Sequence, residues 1–328
     1  MDVVLRVLMW VAIGLVVFVV LALIAVAILL YILVYARKMP SYGKFVFGDN
    51  LESDMSDPVE QVRVRLAKET EEYVESMEYD TMHTMSFDGL KLFAKLLKGD
   101  PQSKRVVIVV HGYRGLATMD FGGMIQFYHN KGYHVLMPDN RAHRNSEGKW
   151  LGFGWLDRRD VITWSKKLIR MFGPETEIIL SGVSMGGATV MMASGEEDLP
   201  KQVKLIIEDC GYSSTVAQFE SAFPKQFYFL RKPVLFFCNL ISLLLNHYSL
   251  YKASSVKQIE KCTVPMLFFH GEKDTFVPTE MVYDNFDACN TFKKLRIIPN
   301  AGHAQGYDAD PAGYEATVEA FLQDTIGV

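Results

Sequence analysis

A serine between two glycines is the feature of the sequence that most directly indicates chemistry. Ser184 lies in the segment Gly182-Val183-Ser184-Met185-Gly186, after an apolar run and before a run of small, helix-compatible residues. A nucleophile that faces a substrate must sit on a sharp, strained turn, where a side chain at either glycine would collide with neighbouring backbone. The spacing predicts that Ser184 is a nucleophile on a strand-to-helix turn, with an ordinary glycine-rich loop as the alternative.

Two later residues could supply the base and the acid that a serine nucleophile requires. The base accepts the serine proton, and the acid fixes the tautomer of the base and stabilises its charged form. His303 and Asp274 each follow an apolar run, in the order serine, aspartate, histidine. We therefore predict His303 as the general base and Asp274 as its acid, and Asp209 is the rival for the acid. Other histidines beside strand ends are interpreted as hydrogen bonders that shape loops: His111, His143 and His270.

Apolar runs alternate with helical patterns from Thr81 onwards. Such alternation predicts βαβ units and an α/β fold, with a mostly parallel central sheet flanked by helices. An antiparallel hairpin of residues 81–85 and 91–95 is expected at one sheet edge. The buried strands are rich in β-branched and bulky residues, as parallel strands are, and are predicted at 105–110, 134–137, 177–180, 203–207, 266–269 and 295–298.

The amino-terminal region has the composition of a membrane span. Residues 7–35 contain no charged side chain, and this run exceeds the roughly 20 residues that cross a bilayer. A cleaved signal peptide is disfavoured because its apolar region usually has only about 7–15 residues. Residues 1–38 are therefore predicted to be a transmembrane helix that anchors a single-pass protein in the cell membrane. Aromatic residues stand where interfacial side chains could lie: Trp10, Tyr31 and Tyr35.

The charges that flank the span do not decide its orientation. Arg6 precedes the apolar run, whereas Arg37 and Lys38 follow it. The excess of cations after the run weakly favours a cytoplasmic catalytic domain, but large domains can cross a membrane despite such a small difference. The side of the membrane that carries the catalytic domain therefore stays open.

The rest of the chain divides into a connector, residues 39–80, and a catalytic α/β domain, residues 81–328. Asp57-Pro58 in the connector opens a short amphipathic helix without chemistry of its own. An aromatic segment at about 212–261 is predicted to be a small helical cap that lines an apolar pocket. Two alternatives stay open for the cap: a helix packed on the core without substrate contact, or one that dips into the bilayer and collects lipid-like substrates.

Several segments together give the chain a resemblance to the α/β-hydrolase superfamily from about Thr81 to the carboxyl terminus. Within it the chain is most similar to membrane-anchored bacterial hydrolases, described as esterase-like or as relatives of the prolyl oligopeptidase group. The resemblance assigns the oxyanion hole to the backbone N–H groups of Tyr113 and Met185. Because Tyr113 and Arg114 stand where many lipases have H-G-G-G, esters of bulky tertiary alcohols are in doubt. The segments besides 182–186 are His111-Gly112-Tyr113-Arg114-Gly115, Pro138-Asp139-Asn140-Arg141-Ala142-His143, Gly271-Glu272-Lys273-Asp274 and Gly302-His303.

These residues predict a serine hydrolase that cleaves a carboxylic ester through an acyl-enzyme intermediate. A peptidase or acyl-amino hydrolase of the same fold is the alternative within that class, and a non-catalytic membrane-anchored scaffold is the alternative outside it. The mechanism requires no cofactor and no metal. The expected partners are a small-molecule or lipid-like ester substrate and the membrane, and the oligomeric state is left open.

The composition excludes some other classes of protein. Of 328 residues, 49% are hydrophobic and 22% charged, which is enough to bury a large core. The net charge of −4, without a long basic run, gives no reason to expect a nucleic-acid partner. The four cysteines lie far apart without metal-ligand spacing and are expected to be buried free thiols, although their even number permits disulfides. The loop after the predicted strand 134–137 contains Arg141, His143 and Arg144. These side chains are expected to tie loops together, and recognition of an anionic substrate is their less favoured role.

Overall fold

The computed structural model describes residues 3–38 and 55–327. Residues 39–54 of the predicted connector therefore lie outside the described residues. The described chain alternates strands and helices, with eight strands at β1 Tyr79–Met85, β2 Lys91–Leu97, β3 Arg105–Val110, β4 His134–Asp139, β5 Glu177–Val183, β6 Val203–Asp209, β7 Met266–Gly271 and β8 Lys293–Ile298.

The helices include a long amino-terminal one, α1, which runs over 33 residues. Two short 3-10 helices, Lys225–Leu230 and Leu250–Lys252, lie between β6 and β7. In chain order the α-helices are α1 Val3–Tyr35, α2 Pro58–Ser76, α3 Ala117–Asp120, α4 Met124–Asn130, α5 Asp157–Phe172, α6 Met185–Ala193, α7 Thr215–Ser221, α8 Arg231–Leu245, α9 Ser255–Ile259, α10 Glu280–Ala288, α11 Gly306–Ala309 and α12 Pro311–Ile326.

The eight strands form one sheet in the order β1-β2-β4-β3-β5-β6-β7-β8. Strands β1 and β2 pair antiparallel, and β2 also runs antiparallel to β4. Every other pair is parallel, from β4 across to β8. This arrangement confirms the predicted α/β fold with a mostly parallel sheet and an antiparallel hairpin at one edge.

The central strands are mostly apolar because helices cover both faces of the sheet. In β3, Val107 and Val109 belong to one buried cluster, together with residues of α4 and α12. Val106 and Ile108 belong to a second cluster on the opposite face, with residues of α5 and α6. Alternate side chains of a strand point to opposite faces, so each face must be apolar for both layers to pack.

A helical insertion, called the cap below, separates β6 from β7 at the position where the sequence predicts one. It contains α7, α8 and α9 together with both 3-10 helices. Helix α8 packs along the carboxyl-terminal part of α1, and the Cys238 thiol contacts the Ala27 carbonyl at 3.7 Å. The cap is therefore attached both to the sheet and to the long amino-terminal helix.

Helix α1 has two parts with different surroundings. Its first twenty described residues, 3–22, are all exposed, whereas Ala27, Tyr31, Leu33 and Tyr35 are buried. By length and composition α1 could cross a membrane, with a mean hydropathy of 3.4 in its most apolar window. By length and composition the 21-residue stretch Lys225–Leu245 could also cross a membrane, with a mean hydropathy of 1.5.

The end of α1 is joined to the loop after β4 by main-chain hydrogen bonds. The Leu151 N–H donates to the Tyr35 carbonyl at 2.8 Å, and the Arg37 N–H donates to the Lys149 carbonyl at 2.9 Å. Tyr31 and Tyr35, expected as interfacial aromatics, are instead packed within the protein, stacked on one another with ring centroids 4.3 Å apart. The sequence suggested the membrane interface because these rings end an apolar run, but the domain itself covers them.

Candidate active site

Ser184 occupies the turn between β5 and α6, in a backbone conformation that few residues adopt. Its φ is 56° and its ψ is −118°, which is a strained region for any residue with a side chain. A Cβ at Gly182 would collide with the carbonyl oxygen of Gly186, and a Cβ at Gly186 would collide with that of Val110. The two glycines therefore allow the turn that holds the Ser184 side chain up at the end of the sheet.

The structure brings the three predicted catalytic side chains into one hydrogen-bonded row. Ser184 Oγ lies 2.8 Å from His303 Nε2, and His303 Nδ1 lies 2.7 Å from Asp274 Oδ2. The three residues follow the carboxyl ends of β5, β7 and β8, which lie at the same end of the sheet because these strands are parallel. This geometry allows the imidazole to accept the serine proton while Nδ1–H donates to the carboxylate.

Asp274 is held in its charged form by its hydrogen bonds. Burial alone would raise its pKa, but hydrogen bonds from His270 and His303 outweigh burial and lower the pKa to about 2. Its second oxygen, Oδ1, accepts from the backbone N–H groups of Phe276 and Val277, both at 2.9 Å. A carboxylate that is ionised and fixed at both oxygens can orient an imidazole and stabilise its protonated form.

Asp209, the rival for the acid, lies close to this row without joining it. Its backbone carbonyl accepts a 2.8 Å hydrogen bond from the Ser184 N–H. Its carboxyl group is buried, which raises its pKa, and His303 directs Nδ1 at Asp274 instead. The geometry therefore favours Asp274 as the partner of His303.

The two predicted oxyanion donors lie on either side of Ser184. The Met185 N–H is at the first position of α6, where the helix leaves its N–H groups without intrahelical partners. Gly112 approaches closely enough that a Cβ there would lie 3.2 Å from the Ser184 Cβ, which brings the next residue, Tyr113, beside the nucleophile. Neither the Tyr113 nor the Met185 N–H donates to an acceptor within 3–38 or 55–327. Both groups are therefore free to bind a developing negative oxygen.

Two buried neutral histidines hold the loop of residues 111–115 in place. The His143 Nε2 accepts from the Arg114 N–H at 3.1 Å, and its Nδ1–H donates to the Arg141 carbonyl. The His111 Nε2 accepts from the Asn140 N–H at 3.1 Å. Burial lowers the pKa of His111 to about 4 and that of His143 to about 3. Both make the loop-shaping bonds expected from the sequence.

Asp120 also supports this loop, and the sequence analysis did not identify it. Its Oδ2 accepts from the Gly112 N–H at 2.7 Å, and its Oδ1 lies 3.6 Å from the Arg63 guanidinium of α2. The connector helix thus contacts the residue that fixes the start of the loop. No local pattern in the sequence marks an aspartate eight positions after a glycine as its partner.

The end of α1 also contacts this loop, and the sequence analysis missed that contact too. The Tyr113 hydroxyl donates to the Val34 carbonyl at 2.9 Å. The Arg114 guanidinium donates to the carbonyls of Ala36 at 2.7 Å and Arg37 at 3.0 Å. A guanidinium is well suited to the carboxyl end of a helix, where carbonyl groups lack partners and the helix dipole is negative.

An apolar cluster extends from the nucleophile turn to α1 and the cap. Met185 belongs to it, and so do aromatic side chains from three different parts of the chain. The Tyr35 ring lies 4.5 Å from the Phe153 ring, and the Tyr113 ring lies 5.5 Å from the same Phe153. The residue that follows Ser184 therefore lies in a cluster rich in aromatic side chains. Cluster members from the cap and α1 include Tyr31, Tyr212, Val234, Cys238 and Tyr248.

Arg141 is a structural residue that does not face a substrate. Its side chain is 2% exposed and donates to both oxygens of Asp160, each at 2.7 Å. It also binds Asp88 in the β1–β2 turn at 2.8 Å. This network ties the loop after β4 to α5 and to the hairpin, which is the role that the sequence analysis favoured.

The four cysteines are free and buried. One of them, Cys210, lies with Asp274 and His303 so that their potential ligand atoms are all within 4.8 Å. Burial raises the pKa of the Cys210 thiol well above its usual value, and a protonated thiol is a poor metal ligand. The other two side chains are already hydrogen-bonded to one another, so this group is arranged for proton transfer.

Comparison with known proteins finds matches over most of the α/β domain. The model of the prolyl oligopeptidase family matches residues 119–328, which include Ser184, Asp274 and His303. Among curated proteins, the uncharacterized protein YqkD of Bacillus subtilis is 24% identical over 225 residues, covering 66% of this chain and 71% of its own.

Solved structures with the same fold include an esterase and a peptidase. The Pyrococcus furiosus esterase Pf2001 aligns with a TM-score of 0.58 and 24% identity, over 77% of this chain and 94% of its own. The acylaminoacyl peptidase of Pyrococcus horikoshii aligns with a TM-score of 0.54 and 18% identity, over 75% of this chain and 40% of its own. At these identities the likeness shows the fold alone.

Proposed function

The chain belongs to the prolyl oligopeptidase family, and on that premise we propose that it is a serine hydrolase that cleaves carboxylic esters through Ser184, His303 and Asp274. The observation that carries the proposal is the continuous row of hydrogen bonds, 2.8 Å from Ser184 Oγ to His303 Nε2 and 2.7 Å from His303 Nδ1 to Asp274. A row of this kind at the end of a parallel sheet is what nucleophilic acyl transfer requires.

The reaction proceeds in two acyl-transfer steps. Ser184 Oγ attacks the carbonyl carbon of the ester while His303 Nε2 takes its proton, and Asp274 stabilises the imidazolium. The negative oxygen of the tetrahedral intermediate is held by the N–H groups of Tyr113 and Met185, each worth roughly 2.7–4 kcal/mol. His303 then gives the proton to the leaving alcohol. Water then attacks the acyl-serine while His303 takes a proton from it. His303 returns this proton to Ser184 Oγ, and the acid is released.

The apolar cluster beside Ser184 supports an acyl group of low polarity as the part of the substrate that binds there. Tyr35, Phe153 and Tyr113 are aromatic members of this cluster on the side of α1. Aromatic and aliphatic walls bind apolar groups because contact removes both surfaces from water. A peptide or acyl-amino bond is the second candidate, and the family match is what favours it.

We also propose that α1 anchors the enzyme in the cell membrane as a single span. Its exposed residues 3–22 form a helix of about 30 Å, which matches the hydrocarbon thickness of a bilayer. The full chain should remain in the membrane pellet after extraction at alkaline pH. Release into the supernatant would contradict the anchor while leaving the hydrolase proposal untouched.

A substrate panel on the full chain in mild detergent tests the ester proposal. We expect p-nitrophenyl esters to be hydrolysed with higher kcat/KM than aminoacyl p-nitroanilides of matched acyl size. Ser184→Ala should lower kcat by roughly 10⁶-fold, whereas Ser221→Ala, at an exposed serine of the cap, should leave it unchanged. A preference for the anilides would overturn the ester assignment, and full activity of Ser184→Ala would overturn the mechanism.

A further inference from the structure

Helix α8 of the cap exposes a row of large apolar side chains. Phe236 is 51% exposed, Leu240 42% and Leu244 73%. These positions are four residues apart, so they lie along one face of the helix. The preceding 3-10 helix adds the exposed side chains of Phe227 and Phe229, at 51% and 74%.

The buried face of α8 includes polar side chains beside the apolar Val234 and Leu235. Ser242 is fully buried and its hydroxyl donates to the Tyr248 carbonyl at 2.9 Å. Asn239 is 9% exposed, and its side-chain oxygen accepts from the Leu250 N–H at 2.9 Å. A helix on the surface of a water-soluble protein places its polar residues outward. The apolar outward face of α8 therefore indicates an apolar surrounding.

The position of α8 relative to α1 identifies that surrounding. Residues 3–22 of α1 account for about 30 Å of exposed apolar helix. Cys238 of α8 contacts Ala27 of α1, five residues and about 7.5 Å past the end of that stretch. That distance corresponds to the boundary between acyl chains and headgroups.

We propose that the outward face of α8 and of the preceding 3-10 helix is a membrane-binding surface, seated in the acyl-headgroup boundary of the bilayer that α1 crosses. This surface, 227–244, lies next to α1, because α8 contacts α1 at Ala27 and the neighbouring Val26 and Ile28 are exposed as well. Lys225 and Lys232 are exposed beside it, and their side chains can reach the headgroups while the rings enter the acyl region.

The proposal rests on the proposed anchor but not on the ester activity, so each can fail alone. It also commits to lipid as the substance that covers the surface. The alternative occupant is a second copy of the chain, because two such apolar faces could cover one another.

Lipid-depth quenching on the full chain in phosphatidylcholine and phosphatidylglycerol vesicles tests the proposal. Leu244→Cys, Leu15→Cys and Lys68→Cys would each carry an NBD fluorophore, since the native cysteines are buried. Leu15 is an exposed residue of α1, and the Lys68 side chain is 78% exposed on α2. We expect a nitroxide near the headgroup to quench the probe at 244, and a nitroxide on the acyl chain to quench the probe at 15, each at least twofold more than it quenches the probe at 68.

Three results would overturn the proposal. If position 244 is as weakly quenched as position 68 while position 15 is quenched, α8 faces water. If the probe at 244 shows blue-shifted emission without nitroxide quenching, and Leu244→Cys forms disulfide-linked dimers, a second copy covers the surface. Absence of quenching at position 15 would remove the anchor and this surface together, but ester hydrolysis by the same sample would still stand.

Discussion

The phenolic oxygen of Tyr113 donates a 2.9 Å hydrogen bond to the carbonyl oxygen of Val34, in the last turn of α1. The backbone N–H of the same Tyr113 is the proposed oxyanion donor from the loop after β3. The end of the proposed membrane anchor is thus hydrogen-bonded to a residue of the proposed catalytic machinery. Arg114 strengthens this connection through the carbonyls of Ala36 and Arg37.

Tyr113→Phe should therefore lower kcat while KM stays unchanged. The substitution keeps the ring and the backbone N–H but removes a hydrogen bond worth about 0.5–1.5 kcal/mol, so we expect a two- to tenfold loss from a less fixed donor. The measurement is steady-state ester hydrolysis by the full chain. Tyr228→Phe, at an exposed tyrosine of the cap, is the matched control. An unchanged kcat would show that the loop does not depend on α1.

Asp274→Asn should be far more damaging than Asp209→Asn. An amide at 274 can no longer stabilise the imidazolium and favours the wrong tautomer of His303, an effect of about 10⁴-fold in kcat in a comparable triad. Asp209 does not bind His303, so its isosteric replacement should cost less than about tenfold. Stopped-flow and steady-state kinetics on both variants make the comparison. The reverse ranking would transfer the role of the acid to Asp209.

Arg141→Met should destabilise the α/β domain strongly. Asp160 is 5% exposed and would lose both of its 2.7 Å bonds to the guanidinium, and breaking one side of a buried pair costs about 3–5 kcal/mol. The free energy of unfolding can be measured by urea denaturation in mild detergent. Lys294→Met, which breaks an exposed pair with Asp324, should cost less than about 1 kcal/mol. Equal losses in the two variants would contradict this account of Arg141.

Glu208→Gln should stabilise the protein more at pH 9 than at pH 5. Burial raises the pKa of Glu208 to about 8, whereas in the unfolded chain a glutamate titrates near 4.3. Between these two values the folded state holds more protons, so the Glu208 contribution to stability falls as pH rises. The amide of the variant does not titrate, so its contribution to stability does not fall as pH rises. Its oxygen can still accept from the Gly211 N–H, which in the wild type lies 2.9 Å from Glu208 Oε2. A stability difference between variant and wild type that is constant with pH would contradict the shift.

Local patterns in the sequence were sufficient to predict the sheet and the nucleophile turn. The apolar runs coincide with the central strands, although β5 extends to Val183 and β7 to Gly271, past the predicted ends. The turn at Ser184 could be predicted because its two glycines are required within five residues of chain. His303 and Asp274 could be placed near it because parallel strands bring their carboxyl ends to one edge of the sheet.

Contacts between distant segments could not be predicted in this way. Tyr113 and Val34 are 79 positions apart, and no periodicity or turn signal relates them. The Gly112–Asp120 bond and the Arg141–Asp160 pair depend likewise on how loops fold over the sheet. Tyr31 and Tyr35 were assigned to the membrane interface because hydropathy cannot distinguish an apolar surrounding of lipid from one of protein.

The central claim is that Ser184 is the nucleophile and that His303 activates it, and covalent labelling tests it most directly. The full chain would be treated with a fluorophosphonate, and the modified residue would be identified by peptide mass spectrometry. We expect one adduct, on Ser184, which forms at least a hundredfold more slowly in His303→Ala and not at all in Ser184→Ala. A folded chain that stays unlabelled, or an adduct on another residue, would contradict the proposed mechanism.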